Sequence, residues 1–332
     1  MNGLRSLRGF EEALRPPVDV RRARITPAVL RGPRAATAAE TAARFVRVAR
    51  RTPEVMVKVT GRTRDGAHLG AHLAYISRNG ALPLLGPDDE RLEGRAAVRA
   101  LARDWAEEAA MEPRRRRDSP LSHSIVLSMP AGTDAVRLHD AAKAFAREVF
   151  GDRFAYVLAL HDEGRHPHVH LTVRSLGADG ERLNPRKADL QLWRERFAHA
   201  LRARSIEAEA TPRRTRGVVR KAERTPVRKM RERCVSGTGP LPAVLASTYR
   251  QALGPAAADE PWRAAIQARE LAVRRALVAE ALRLSRSERE ADRALAALVE
   301  RFVRERAAPE TRDQALRRQA LERDRGGGGR VR

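Results

Sequence analysis

The chain predicts an α+β fold, and three observations carry that prediction. Short β-branched and apolar runs are interspersed with longer stretches whose apolar residues recur every three or four positions. Two of the short runs, 154–161 and 166–174, flank a polar, Gly-containing connector in the manner of a β-hairpin. No run approaches the ~18 consecutive apolar residues of a spanning helix, so strands and helices must share a water-soluble core.

Taken in order, residues 1–53 mix Arg, Ala and Pro without a sustained period and read as a basic N-terminal arm, partly disordered, with one helix over 38–50. Val55 to Val59 reads as a strand and 61–66 as a polar turn. Over 67–78, Leu69, Leu73 and Ile76 recur at helical spacing, and Asn79-Gly80 stops the helix. A second amphipathic helix over 94–111 carries Val98, Leu101, Trp105 and Ala109. Arg114 to Arg117 form a basic loop. A strand over 122–129, a turn at 130–133 and a helix over 135–150 follow, then the hairpin, then a helix over 188–204 with Leu190, Trp193, Phe197 and Leu201. Thr211 to Arg233 is a charge run, and Gly237, Gly239, Pro240 and Pro242 mark a boundary near 235. Beyond it, 261–306 has helical periodicity, and the chain closes on a basic, Gly-rich tail expected to be disordered.

The balance of charge narrows the partners. In a chain of 332 residues, 66 Lys and Arg oppose 42 Asp and Glu, a formal charge of +24, which calls for a polyanion, nucleic acid before any other. Only 4% of residues are aromatic, so the core must rest on Leu, Val, Ile and Ala. The single cysteine, Cys234, excludes an internal disulfide framework. The opening residues lack the apolar stretch of a signal peptide, and a cytoplasmic location is expected.

Four of the nine histidines fall between 161 and 170. Strand side chains alternate with period two, so His166, His168 and His170 share a face if the strand begins that early, and an antiparallel return brings His161 beside His168. Convergent neutral imidazoles make a divalent metal site, and ligand type alone favours Zn²⁺. Among the three tyrosines, Tyr156 alternates with apolar neighbours and reads as core, Tyr249 lies outside the α+β region, and Tyr75 near the end of the first amphipathic helix is the candidate nucleophile.

Three segments then carry a resemblance: His72-Leu73-Ala74-Tyr75-Ile76-Ser77-Arg78-Asn79-Gly80, Ser128-Met129-Pro130-Ala131-Gly132-Thr133, and His161-Asp162-Glu163 through His166-Pro167-His168-Val169-His170. With Arg213-Arg214-Thr215-Arg216-Gly217, they resemble a mobilization relaxase of the HUH endonuclease superfamily, in the branch of the T-DNA border endonuclease. The resemblance implies a five-stranded antiparallel sheet flanked by helices, with the nuclease domain over 54–235 and a helical, Arg-rich region over 236–332. It implies that Tyr75 transesterifies onto the 5′-phosphate of single-stranded DNA at a transfer origin, during conjugative mobilization. His161, His168 and His170 would hold Mg²⁺ or Mn²⁺, with His166 and Asp162 auxiliary and Glu163 a candidate base. Arg78, Arg213, Arg214 and Arg216 would meet phosphates. The expected partners are oriT DNA, relaxosome accessory proteins and a type IV coupling protein, with possible passage into a recipient cell. A replication initiator or transposase of the superfamily, or a non-catalytic oriT-binding accessory protein, is the alternative; the tyrosine preceding the histidines favours the relaxase.

Overall fold

A computed structural model describes residues 38–113, 115–116, 118–163, 166–211, 215–216, 223, 225–254, 261–306 and 314–318. These fall into two compact units divided between Thr211 and Pro212.

The first unit holds a six-stranded antiparallel sheet. In chain order its elements are α1 (Ala38–Ala49), β1 (Met56–Thr63), α2 (Gly66–Ile76), β2 (Leu84–Leu85), β3 (Arg91–Leu92), α3 (Gly94–Ala110), β4 (Ser122–Ser128), α4 (Ala135–Phe150), β5 (Tyr156–His161), β6 (His168–Arg174) and α5 (Lys187–Arg202). The strands lie in the order β1-β4-β6-β5-β2-β3. The resemblance implied five strands; the sheet has six, two of which, β2 and β3, are only two residues long.

Period two decides what each face of this sheet does. On one face Ile125 and Leu127 of β4, Tyr156 and Leu158 of β5, and Val169, Leu171 and Val173 of β6 form a continuous core with α4 and α5, through Phe145, Phe150, Trp193 and Phe197. Each such side chain contributes roughly 1.5–3 kcal/mol by leaving water. On the other face Val157 and Ala159 of β5 meet Leu69, Leu73 and Ile76 of α2 and Val98 and Trp105 of α3. The alternating partners there are Ser124, His170 and Thr172, polar and largely buried. Tyr156 is 3% exposed, as its neighbours implied.

Strand β1 continues to Thr63, through the expected turn at 61–66. A register shift between Val59 and Gly61 absorbs the extra residue, and Thr63 pairs with Ser122. Residues 1–37 of the expected arm lie outside the described residues. Its remainder, α1, packs through buried Phe45 and Val48, while Arg47 Nε donates to Glu209 Oε2 at 2.7 Å and Arg44 Nη2 to the Ala210 carbonyl at 2.9 Å.

The second unit contains α6 (Thr225–Val235), α7 (Ala243–Leu253), α8 (Pro261–Ser285) and α9 (Glu290–Arg304). Helices α8 and α9 pack on each other and bury Leu277, Leu284, Val299 and Phe302. Arg306 is buried and binds both oxygens of Glu270, at 2.7 and 2.9 Å. The expected tail, 323–332, lies outside the described residues. Among the described residues no helix is long and apolar enough to cross a membrane.

Candidate metal centre and nucleophile

The hairpin register places His161 directly opposite His168. His170, two residues on, falls on the same face of β6, and one ring nitrogen from each of the three lies within 4.8 Å of the others. Ring centroids are 5.3 Å apart for His161 and His168, 4.5 Å for His161 and His170, and 5.0 Å for His168 and His170. His166 does not join them, because β6 begins only at His168 and alternation does not reach back to it.

Hydrogen bonding fixes which nitrogens are left. His161 Nε2 donates to the Ile76 carbonyl at 2.8 Å, which frees Nδ1. His168 Nδ1 donates to the His166 carbonyl at 3.1 Å, which frees Nε2. Nε2 of His170 is buried and has no hydrogen-bond partner. A buried polar nitrogen without a partner is costly, and here it points to a ligand. Burial lowers the pKa of His170 to about 3, helped by the neighbouring imidazoles of His161 and His168. His161 is lowered as well, chiefly by burial, against the opposing bond to Ile76. Neutral imidazole is the form that ligates a metal, so the three residues fit a divalent cation.

Tyr75 stands over this cluster. It lies in the last turn of α2, 56% exposed, with its ring centroid 6.2 Å from His161 and 5.7 Å from His170. The bond from His161 to Ile76 ties that helix end to the end of β5. The chain leaves α2 through three successive residues of positive φ, Arg78 (52°), Asn79 (57°) and Gly80 (86°). Only glycine serves at the third, since a Cβ there would stand 2.5 Å from Arg95 N and 2.6 Å from Gly94 C. Asn79 N donates to the Ala74 carbonyl at 2.7 Å and Ser77 Oγ accepts from Gly80 N at 3.1 Å, locking the turn.

Arg78 lies 5.9 Å from the centroid of the Tyr75 ring and pairs with Glu163 at 3.3 Å. Asp162 is exposed in the connector after β5. Ser128 pins the approach to β6 by donating to the Pro167 carbonyl at 3.1 Å, so the segment at 128–133 serves the histidines by bracing the strand that carries two of them. Arg213 and Arg214 lie outside the described residues. Arg216 is half-buried in the second unit.

One group was not singled out from the sequence. His72, on α2 a turn before Tyr75, has its Nε2 within hydrogen-bond distance of both Ser124 Oγ (3.0 Å) and Thr172 Oγ1 (2.9 Å). Its pKa is lowered by burial and by His68. The spacing of His68, His72 and Tyr75, four and then three residues, is a one-face helical pattern that could have revealed it.

Residues 89–204 match the family model of the relaxase MobA/VirD2-like nuclease domain. That span contains all three histidines and begins after Tyr75. Over that span the chain is similar to the nuclease domain of the mobilization-relaxase class.

Within that class it resembles the T-DNA border endonuclease VirD2. It is 28% identical to the Rhizobium radiobacter protein over 190 residues, covering 50% of this chain and 43% of that one. To the Agrobacterium fabrum protein it is 30% identical over 141 residues, covering 36% and 30%. The chain thus spans less than half the length of these relatives. The MobM relaxase domain, solved bound to pMV158 oriT DNA, shares 15% identity at a TM-score of 0.36, over 52% of this chain and 96% of that one.

Proposed function

We propose that the protein is a strand-specific DNA-nicking relaxase that opens one strand at a transfer origin for conjugative mobilization. The carrying observation is an exposed tyrosine ring at the end of α2, beside a three-histidine cluster, two of its members buried and His168 half-buried, each with a nitrogen to spare. Tyr75 Oη attacks the scissile phosphorus and gives up its proton. The bond from phosphorus to the 3′-oxygen breaks, and that oxygen gains a proton. A 5′-phosphotyrosine and a free 3′-hydroxyl result, and since one phosphodiester replaces another, resealing needs no ATP.

His161, His168 and His170 would hold Mg²⁺ or Mn²⁺, and Zn²⁺ also suits the donors. When bound, the cation supplies Lewis-acid stabilisation of charge developing on the phosphate. Glu163, held by Arg78, is the proposed proton acceptor, with His166 and Asp162 auxiliary. Arg78, Arg213, Arg214 and Arg216 are assigned to phosphates. The nuclease domain is assigned to 54–235, and 236–332 to transfer and to contacts with accessory and coupling proteins.

The test uses single-stranded oligonucleotides that tile the candidate origin, labelled at the 3′ end, incubated with protein and Mg²⁺ or Mn²⁺ and run on a denaturing gel. The wild type, Tyr156→Phe and Tyr249→Phe are expected to yield a DNA-shifted protein band, and Tyr75→Phe none. A shifted band from Tyr75→Phe would remove Tyr75 from the reaction.

A further inference from the structure

The reaction above uses Tyr75 and the three histidines, yet the same face of α2 carries two further rings. His68, His72 and Tyr75 follow one another by four and three residues, so all three side chains stand in one stripe. Facing the stripe is the bulged stretch of β1. Between them runs a groove of about 360 Å³, lined by Gly61, Arg62, His68, His72 and Ser124, and ending at Tyr75 and His170.

The lining defines its ligand. It includes the cation Arg62 and no carboxylate, which favours an anion. Unpaired strands of nucleic acid are held by a positive groove together with planar rings against which bases stack, and histidine is among the residues that supply such a ring. With 4% aromatic residues this chain has few conventional platforms to offer, and an imidazole stripe fills that gap. The ring of His72 is held in place through Nε2 by Ser124 and Thr172, leaving Nδ1 as its edge toward a ligand. At the bulge, a Cβ on Gly61 would meet nothing within 4 Å, so the backbone leaves room there.

We infer that this groove seats the nucleotide adjoining the scissile phosphate, its base packed on the imidazoles of His68 and His72 and its outer phosphate met by Arg62. That the nucleotide adjoins the scissile phosphate rests on the nicking reading above; the affinity of the groove for a single strand does not.

The test uses the full chain in EDTA, where no cleavage competes. The probe is fluorescein-labelled poly-dT with iododeoxyuridine replacing one thymidine, read by anisotropy and by ultraviolet cross-linking with peptide mapping. Cross-links are expected on His68, His72 or Tyr75. His68→Ala, an exposed position, is expected to weaken binding about tenfold, within the range of a lost base stack. Gly61→Leu, whose Cβ would meet nothing within 4 Å and whose backbone is not left-handed, is expected to do the same.

Cross-links confined to other elements, or binding within twofold of wild type in both variants, would overturn the inference. The two readings separate in the wild type with Mg²⁺ and origin DNA. Groove cross-links without any covalent adduct sink the nicking reading and leave the groove standing, whereas an adduct formed with binding unchanged in both groove variants does the reverse.

Discussion

Replacing His170 with leucine should make the variant at least as stable as the wild type without metal and less stable than the wild type with it. In the metal-free protein the Nε2 of His170 is buried without a partner, a situation that costs roughly 1–3 kcal/mol. Its pKa of about 3, set by burial first and then by His161 and His168, keeps the ring neutral near pH 7.5, so no ionic interaction compensates. Leucine has a similar size and no polar atom to strand. In EDTA, His170→Leu is therefore expected to match the wild type or exceed it by about 1–2 kcal/mol. With Mn²⁺ at a hundred times its Kd, the wild type gains about 2.7 kcal/mol by linkage, and the variant gains nothing. Urea unfolding followed by tryptophan fluorescence measures both, in a Trp262→Phe background so that Trp105 and Trp193, buried in the first unit, report alone. Two results would refute the reasoning. A variant several kcal/mol less stable than wild type in EDTA would mean that Nε2 is satisfied without metal; a variant that gains as much from Mn²⁺ as the wild type would mean that His170 is not a ligand.

Two further outcomes concern the frame around the site. His123 is buried against Ser175, and burial, then Arg62, lowers its pKa from the ordinary 6.5 to about 4. The unfolded chain therefore binds the extra proton first, so this contribution is complete above pH 6.5 and is lost as pH falls toward 4; at about 1.4 kcal/mol per unit it amounts to roughly 3 kcal/mol, and His123→Gln should flatten the acid limb of a stability profile measured by urea unfolding. Gly80→Ala brings a Cβ to 2.5 Å from Arg95 N at positive φ, so it should cost about 1–3 kcal/mol and depress adduct formation more than binding of poly-dT, because the turn that follows Tyr75 shifts; equal losses in both assays would contradict that link.

The parts of this molecule that the sequence revealed are those where one periodicity persists for several residues. Strands β4, β5 and β6 run for six or seven residues, buried at nearly every position, and the apolar runs of β5 and β6 around a polar connector were long enough to suggest the pairing of His161 with His168. Helix α2 was readable from Leu69, Leu73 and Ile76, which are all fully buried. Elements shorter than one period were not readable: β2 and β3 offer two residues each, and they owe their strand geometry to pairing with β5 and with each other. Strand β1 was cut short at Gly61 because glycine in a polar context reads as a turn, whereas a bulge let the strand absorb it. Helix α6 was hidden within a charge run, where few apolar positions mark a buried face. His166 was drawn into the histidine group by its spacing alone, since alternation counts only within a strand and β6 starts two residues later.

The division of labour between the two sheet faces explains why the histidines can sit where they do. The face against α4 and α5 is closed by Phe145, Phe150, Trp193 and Phe197; it carries His123 of β4, bonded to Ser175, and none of the three clustered imidazoles. It supplies enough apolar burial that the opposite face can hold Ser124, Thr172 and the three imidazoles at a cost. Helix α2 covers that face only partly: Leu69, Leu73 and Ile76 anchor it on Val157 and Ala159, while its next face, with His68, His72 and Tyr75, looks along the polar strip. A helix set this way keeps Tyr75 exposed yet beside the histidines, and the bond from His161 to the Ile76 carbonyl ties the end of the tyrosine's helix to the histidine cluster. Moving the apolar stripe of α2 by a single residue would turn Tyr75 by about 100° around the helix, away from the histidines. The register of Leu69, Leu73 and Ile76 is therefore as much a part of the site as the tyrosine itself.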